Sequence, residues 1–101
     1  SGSCDDTLVS SGCIISGTDI YRTVLGPRVR IERWARVDES ILMNNVCIGS
    51  NATVHRAILD KNVIVPDGAQ VGVDHEHDRA RGFTVSPTGV TVVGKGITVP
   101  Y

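Results

Sequence analysis

Residues 29–79 read as three rows of seventeen: VRIERWARVDESILMNN (29–45), VCIGSNATVHRAILDKN (46–62) and VIVPDGAQVGVDHEHDR (63–79). The chain's leucines, Leu8, Leu25, Leu42 and Leu59, keep the same interval of seventeen. A finer step of 6, 6 and 5 picks out Leu8, Ile14, Ile20, Leu25, Ile31, Val37, Leu42, Ile48, Val54, Leu59, Val65 and Val71. All are aliphatic. Val, Ile and Leu are 28 of the 101 residues, so chance would give that run roughly once in five million trials. Four places after these positions stand Gly12, Thr18, Val24, Val29, Ala35, Ile41, Val46, Ala52, Ile58, Val63 and Ala69, each small or β-branched.

Six residues are too few for a useful helix but enough for a short strand and a corner. Three such sides close a triangular coil of seventeen, and coils stacked ~4.8 Å apart pair every strand with the next. The stepping aliphatic points inward, and the residue four later fills the corner. Gly26, Asn44, Asn45, Gly49, Asn51, Asp60 and Gly68 supply turn conformations. The expected fold is therefore all-β: a single domain over 1–101, a parallel β-helix with coils over about 7–73. The pattern stops after Val71. Residues 74–82 (DHEHDRARG) read as a charged capping loop, 83–93 as a β-hairpin, and GKGITVPY as a trailing segment. The stack opens part-way through a coil with no polar lid, which predicts further chain before Ser1.

Composition narrows the function classes. A net charge of −1 and pI ≈ 6.2 exclude a strongly basic nucleic-acid surface. No run approaches the ~18 apolar residues of a membrane span. Cys4, Cys13 and Cys47 are odd in number and lack C-x₂-C spacing, which reads as free thiols in a reducing cytoplasm.

Candidate chemistry is sparse. His75-Glu76-His77-Asp78 could hold a metal if extended, but its composition reads as a solvated loop and no third ligand is near, so no metal site is assigned. His55 follows the inward Val54 and faces outward; its alternatives are a surface histidine or the general base of an acyl-CoA-dependent hexapeptide acyltransferase. The stretch GVTVVGKG (89–96) falls short of a P-loop, because Gly96 has no hydroxyl for Mg²⁺ and no helix follows. Arg22, Arg28, Arg30, Arg33 and Arg36 crowd fifteen residues, countered by Glu32. They form either a solvated face or an oxyanion-binding surface. Lys61 and Lys95 are the two lysines. Trp34 falls at a corner too narrow to hold it, which favours a contact with another domain or subunit. No catalytic constellation emerges.

The run VLGPRVRIERWARVDESILMNNVCIGSNATVHRAILDKNVIVPDGAQVG, with the later GFTVSPTGVTVVGKG, resembles the C-terminal domain of bacterial glucose-1-phosphate adenylyltransferases (ADP-glucose pyrophosphorylases), the actinobacterial ones especially. The hexad pattern is shared with many transferases, whereas ILDKNVIVPDGAQVG and VTVVGKG are more specific. The resemblance implies a left-handed β-helix and a separate N-terminal nucleotidyltransferase domain. That domain makes ADP-glucose and pyrophosphate from ATP and glucose 1-phosphate, with Mg²⁺, for glycogen synthesis. It also implies packing on that domain, a homotetramer and a sugar-phosphate effector site. The matching basic positions are Lys61, in the D-[KR]-x-x-x-P-[DE]-G run, and Lys95, after the last hairpin strand, with Arg81 as a further candidate. Within this segment it implies no catalytic residue and no cofactor. The alternatives are the acyltransferase and a ligand-free structural spacer.

Overall fold

A computed structural model describes residues 3–101. Strands of two or three residues alternate with corners and stack into three sheets, one on each side of a triangular prism. The first face stacks Ser3–Asp5, Asp19–Tyr21, Arg36–Asp38, Thr53–His55 and Gln70–Val71. The second stacks Leu8–Val9, Val24–Leu25, Ile41–Leu42, Ala57–Leu59 and Thr91–Val93, all parallel. The third stacks Ile14–Ile15, Arg30–Ile31, Cys47–Ile48 and Ile64–Val65. Leu25, Leu42 and Leu59 lie in one register column. They are buried with Ile20, Ile31, Val37, Ile48, Val54, Val65 and Val71. The core is a rod of aliphatic rungs.

The first coil departs from the predicted register. Val9 pairs with Leu25 and Ile15 with Ile31, so Leu8 and Ile14 point outward and are exposed. The interval here is sixteen because the third side of this coil is one residue shorter. The Trp34 amide donates to the Gly17 carbonyl at 3.1 Å and the Thr18 hydroxyl to that of Ala35 at 2.5 Å. The extra residue of the longer coil thus falls at Arg33–Trp34, where Trp34 is exposed on backbone with φ 70°.

The corner rule also changes on the five-residue side. Val29, Ala35, Val46, Ala52, Val63 and Ala69 fill their corners as expected. After Ile20, Val37 and Val54, however, the buried corner residue comes three places later, as Thr23, Ser40 and Ala57. A shorter side reaches its corner one residue sooner, which turns Val24, Ile41 and Ile58 outward. The buried hydroxyls are bonded: Ser40 Oγ donates to the Asp38 carbonyl at 2.8 Å and accepts from the Ala57 amide at 3.2 Å. The turns use left-handed backbone at Asn45, Asn51 and Asn62, but equally at Arg22, Arg28, Glu39 and Arg56. Position in the coil, more than residue type, sets the conformation there.

Residues 74–82 contain a helix, His75–Ala80, and not only a loop. Asp74 caps it, its carboxylate accepting from the His77 amide at 3.2 Å, with Glu76 and Asp78 in the first turn. The hairpin strands Thr84–Val85 and Thr91–Val93 pair antiparallel. The second strand also re-enters the stack: Ala57 faces Thr91, Leu59 faces Val93, and Ile64 bridges to Thr98. These offsets are all 34, two coil lengths. The chain leaves for one coil's worth of residues and returns in phase, so Val93 and Val99 become buried rungs where the sequence pattern had ended.

Candidate functional site

The re-entry brings two of the predicted site residues together. Asn45 donates its amide to the Pro27 carbonyl, Asn62 to that of Asn44, and Gly96 to that of Lys61, at 3.0, 3.0 and 2.9 Å. Pro27, Asn44, Lys61 and Lys95 therefore share one corner column, with Arg28, Asn45, Asn62 and Gly96 beside it. Gly96 takes the left-handed seat (φ 76°) that Asn62 holds one rung away, so GVTVVGKG is a strand and a corner, with no phosphate loop. Lys61 and Lys95 stand in adjacent rungs, ~4.8 Å apart along the stack. Both are exposed, and neither is ion-paired among the described residues. The nearby Asp60 carboxylate accepts from the Lys61 backbone amide at 2.7 Å. Side chains that start from adjacent rungs can turn both ammonium groups toward one multivalent anion, which would offset their mutual repulsion.

Arg81 lies elsewhere, and its guanidinium is engaged internally. It donates to Asp78 Oδ1 at 2.6 Å and to the Gln70 and Pro100 carbonyls at 2.7 Å each, and lies 5.1 Å from the Phe83 ring centroid. Asp78 is buried, and its Oδ2 accepts from the Gly72 amide at 3.0 Å and the Thr91 hydroxyl at 2.8 Å. Gly72 and Thr91 are the points where the chain leaves and rejoins the stack, so this pair fastens the cap. At Gly72 a Cβ would run into the His55 carbonyl oxygen.

The first face carries a groove of about 540 Å³ lined by Tyr21, Arg22, Arg36, Asp38, Thr53 and His55, among others. His55 Nδ1 and Asp38 Oδ2 are 2.9 Å apart, and Arg22 reaches Asp38 at 3.4 Å and Glu39 at 3.7 Å. Asp38, Glu39 and His55 could converge on a cation, but the Arg22 guanidinium already fills that role. The five arginines are spread around the prism. Arg22 pairs with Asp38 and Glu39, Arg30 pairs with Glu32 at 2.9 Å, and Arg28 donates to Asn45 Oδ1 at 2.9 Å. His75 and His77 are two places apart on a helix, which points them to different sides. Sequence reasoning had no means to see the lysine column, because it appears only once the 34-residue return is known.

Stacked seventeen-residue coils with inward aliphatics define a hexapeptide-repeat protein, a left-handed parallel β-helix. Residues 1–93 match the family model described as GlmU-like, C-terminal hexapeptide, and the chain belongs to that family. It is 94% identical over 100 residues to the glucose-1-phosphate adenylyltransferase of Cutibacterium acnes, covering 99% of this chain and 24% of that enzyme. It is 57% identical over 98 residues to that of Frankia casuarinae (97% of this chain, 24% of the relative). It is 44% identical over 88 residues to that of Geobacter metallireducens (87% and 21%). The chain thus spans about a quarter of the length of these relatives. Among the described residues no helix is long and apolar enough to cross a membrane.

Proposed function

We propose that this chain is the regulatory and assembly domain of a glucose-1-phosphate adenylyltransferase, an enzyme that makes ADP-glucose and pyrophosphate from ATP and glucose 1-phosphate for glycogen synthesis. The observation that carries this reading is the 94% identity over 100 residues with an enzyme of that name. The ATP, Mg²⁺ and reacting carboxylates belong to the rest of such an enzyme, a cytoplasmic homotetramer. In this segment the functional groups are Lys61 and Lys95, whose places on adjacent rungs suit the phosphate of a sugar-phosphate effector. Arg81 holds the cap under the same reading. Regulation follows from differential binding: an effector that binds the active arrangement more tightly shifts the population toward it.

The test is activation of the full-length enzyme by a panel of hexose mono- and bisphosphates. Lys61→Ala and Lys95→Ala should each raise the half-activating concentration by ~10-fold or more, with unactivated turnover within about twofold of the parent. Unchanged activation in both variants rejects the assignment. A second reading, acyl transfer with His55 as base, draws on the His55–Asp38 pair beside the first-face groove. Saturable acetyl-CoA binding would favour it. The adenylyltransferase reading predicts none.

A further inference from the structure

The first face presents two outward columns. Its strands Asp19–Tyr21, Arg36–Asp38 and Thr53–His55 are three residues long and bury only the middle one, so the first and third residues of each point out. In register these make one column of Asp19, Arg36 and Thr53 and another of Tyr21, Asp38 and His55. Both columns line the groove of about 540 Å³, which falls inside the ~300–1,000 Å³ of small-molecule sites.

The columns differ in how far their groups are already bonded. In the second, the Tyr21 and Ser3 hydroxyls are 3.1 Å apart, Arg22 donates to Asp38 Oδ1 at 3.4 Å, and His55 Nδ1–H donates to Asp38 Oδ2 at 2.9 Å. That last bond leaves the lone pair of the neutral imidazole on Nε2. In the first column, among the described residues, the Asp19, Arg36 and Thr53 side chains make no ion pair or hydrogen bond, although Asp19 and Arg36 are opposite in charge and adjacent in register. The free groups are thus a carboxylate and a ring nitrogen that accept, a guanidinium fork that donates, and a hydroxyl that does both. An oxyanion offers acceptors alone, so it suits Arg36 and is repelled by Asp19. A metal ion or an amine has the opposite fault. The formal charges also cancel, Arg22 and Arg36 against Asp19 and Asp38, so no net field draws in either ion. A row of neutral hydroxyls satisfies every group, because each hydroxyl donates and accepts, and bonds to charged partners are the stronger kind.

We propose that the first-face groove binds a neutral carbohydrate. Asp19 accepts from adjacent sugar hydroxyls, Arg36 donates to the hydroxyl and ring oxygens beside them, and the half-buried Tyr21 offers its ring to the apolar C–H face of the sugar. From Asp19 to Thr53 the free column covers two ~4.8 Å steps, about 10 Å. That is longer than one pyranose ring, so the ligand is an oligosaccharide of at least two rings. The Lys61–Lys95 corner joins the second and third faces, opposite this one, so the two sites are separate.

Calorimetric titration of the full-length protein with maltose, maltotriose and cellobiose, in the absence of nucleotide, tests this. At least one should bind saturably with a Kd of about 1 mM or below. Asp19→Asn and Arg36→Gln should each weaken that binding by ~10-fold or more. Gln70→Ala, next in the same column but outside the groove, should leave it unchanged. Neither Asp19 nor Arg36 has a partner to strand, and a melting curve matching the parent's checks that each variant is folded. No saturable binding of any of the three sugars below ~10 mM would overturn the proposal. Binding that both variants keep would also overturn it, because the sugar would then sit elsewhere. Inorganic phosphate is the control for charge: if it binds more tightly than the sugars, is lost in Arg36→Gln and is strengthened in Asp19→Asn, the groove is an oxyanion site and the proposal fails. Lys61→Ala and Lys95→Ala should not alter sugar binding, and the groove variants should not alter effector activation, so the two proposals fail separately.

Discussion

The two ends of the prism are built from the same kind of rung and have opposite fates. At the far end the helix His75–Ala80, the hairpin and the Asp78–Arg81 pair close over the stack, and Val93 and Val99 are buried. At the near end Cys4, Val9 and Leu8 occupy or flank rung positions and are exposed. The lesson is that an aliphatic rung is stabilised by the rungs above and below it and hardly by its own identity, as expected where each coil touches only its neighbours. In the middle the same residue types reach full burial.

Substitutions can sharpen or break that contrast. The largest effect is expected at the closed end. Asp78→Ala strands Arg81 in a buried site and frees both exits of the excursion, and should cost about 3–5 kcal/mol. Urea denaturation of the folded protein checks it, and a loss below ~1 kcal/mol would show that the pair does not hold the cap. Mid-stack, Leu42→Ala should cost about 2–5 kcal/mol by transfer and cavity terms. Val9→Ala at the open end, measured in the same 101-residue chain, should cost less than about 1 kcal/mol. Equal losses for Leu42 and Val9 would remove the contrast between middle and end.

Much of this architecture was legible in the sequence. Ten of the twelve stepping aliphatics are buried rungs, because a 6-6-5 period has few other structural readings. The first coil was misread because Leu8–Val9 and Ile14–Ile15 are aliphatic doublets: either register satisfies the pattern, and only pairing with Leu25 and Ile31 decides between them. The return at Thr91 was hidden by the excursion over 74–90, which resets the local pattern while keeping the phase. The helix was missed because its six residues, HEHDRA, are short and mostly polar and show no apolar periodicity, although Asp74 three places before His77 is an N-cap signal. Of the site, the two lysines were visible as residues. Their adjacency was not, since it depends on the 34-residue offset.

The smallest expected effect concerns the corner where the short and long coils differ. Trp34 holds a left-handed backbone, φ 70°, and its side chain is exposed. Trp34→Asn should raise stability by roughly 0.5–1 kcal/mol, because Asn tolerates that conformation at lower cost. Thermal melting of the isolated chain would register this as a rise of a few degrees, and a fall would mean that the indole makes packing contacts worth more than the strain.

The most direct measurement is a double-mutant cycle on effector activation in the full-length enzyme, using Lys61→Ala, Lys95→Ala and the pair. Adjacent ammonium groups sharing one anion predict a combined loss that departs from the sum of the singles by about 0.5 kcal/mol or more. Strict additivity, or activation indifferent to both substitutions, would contradict the account of a single stacked-lysine site.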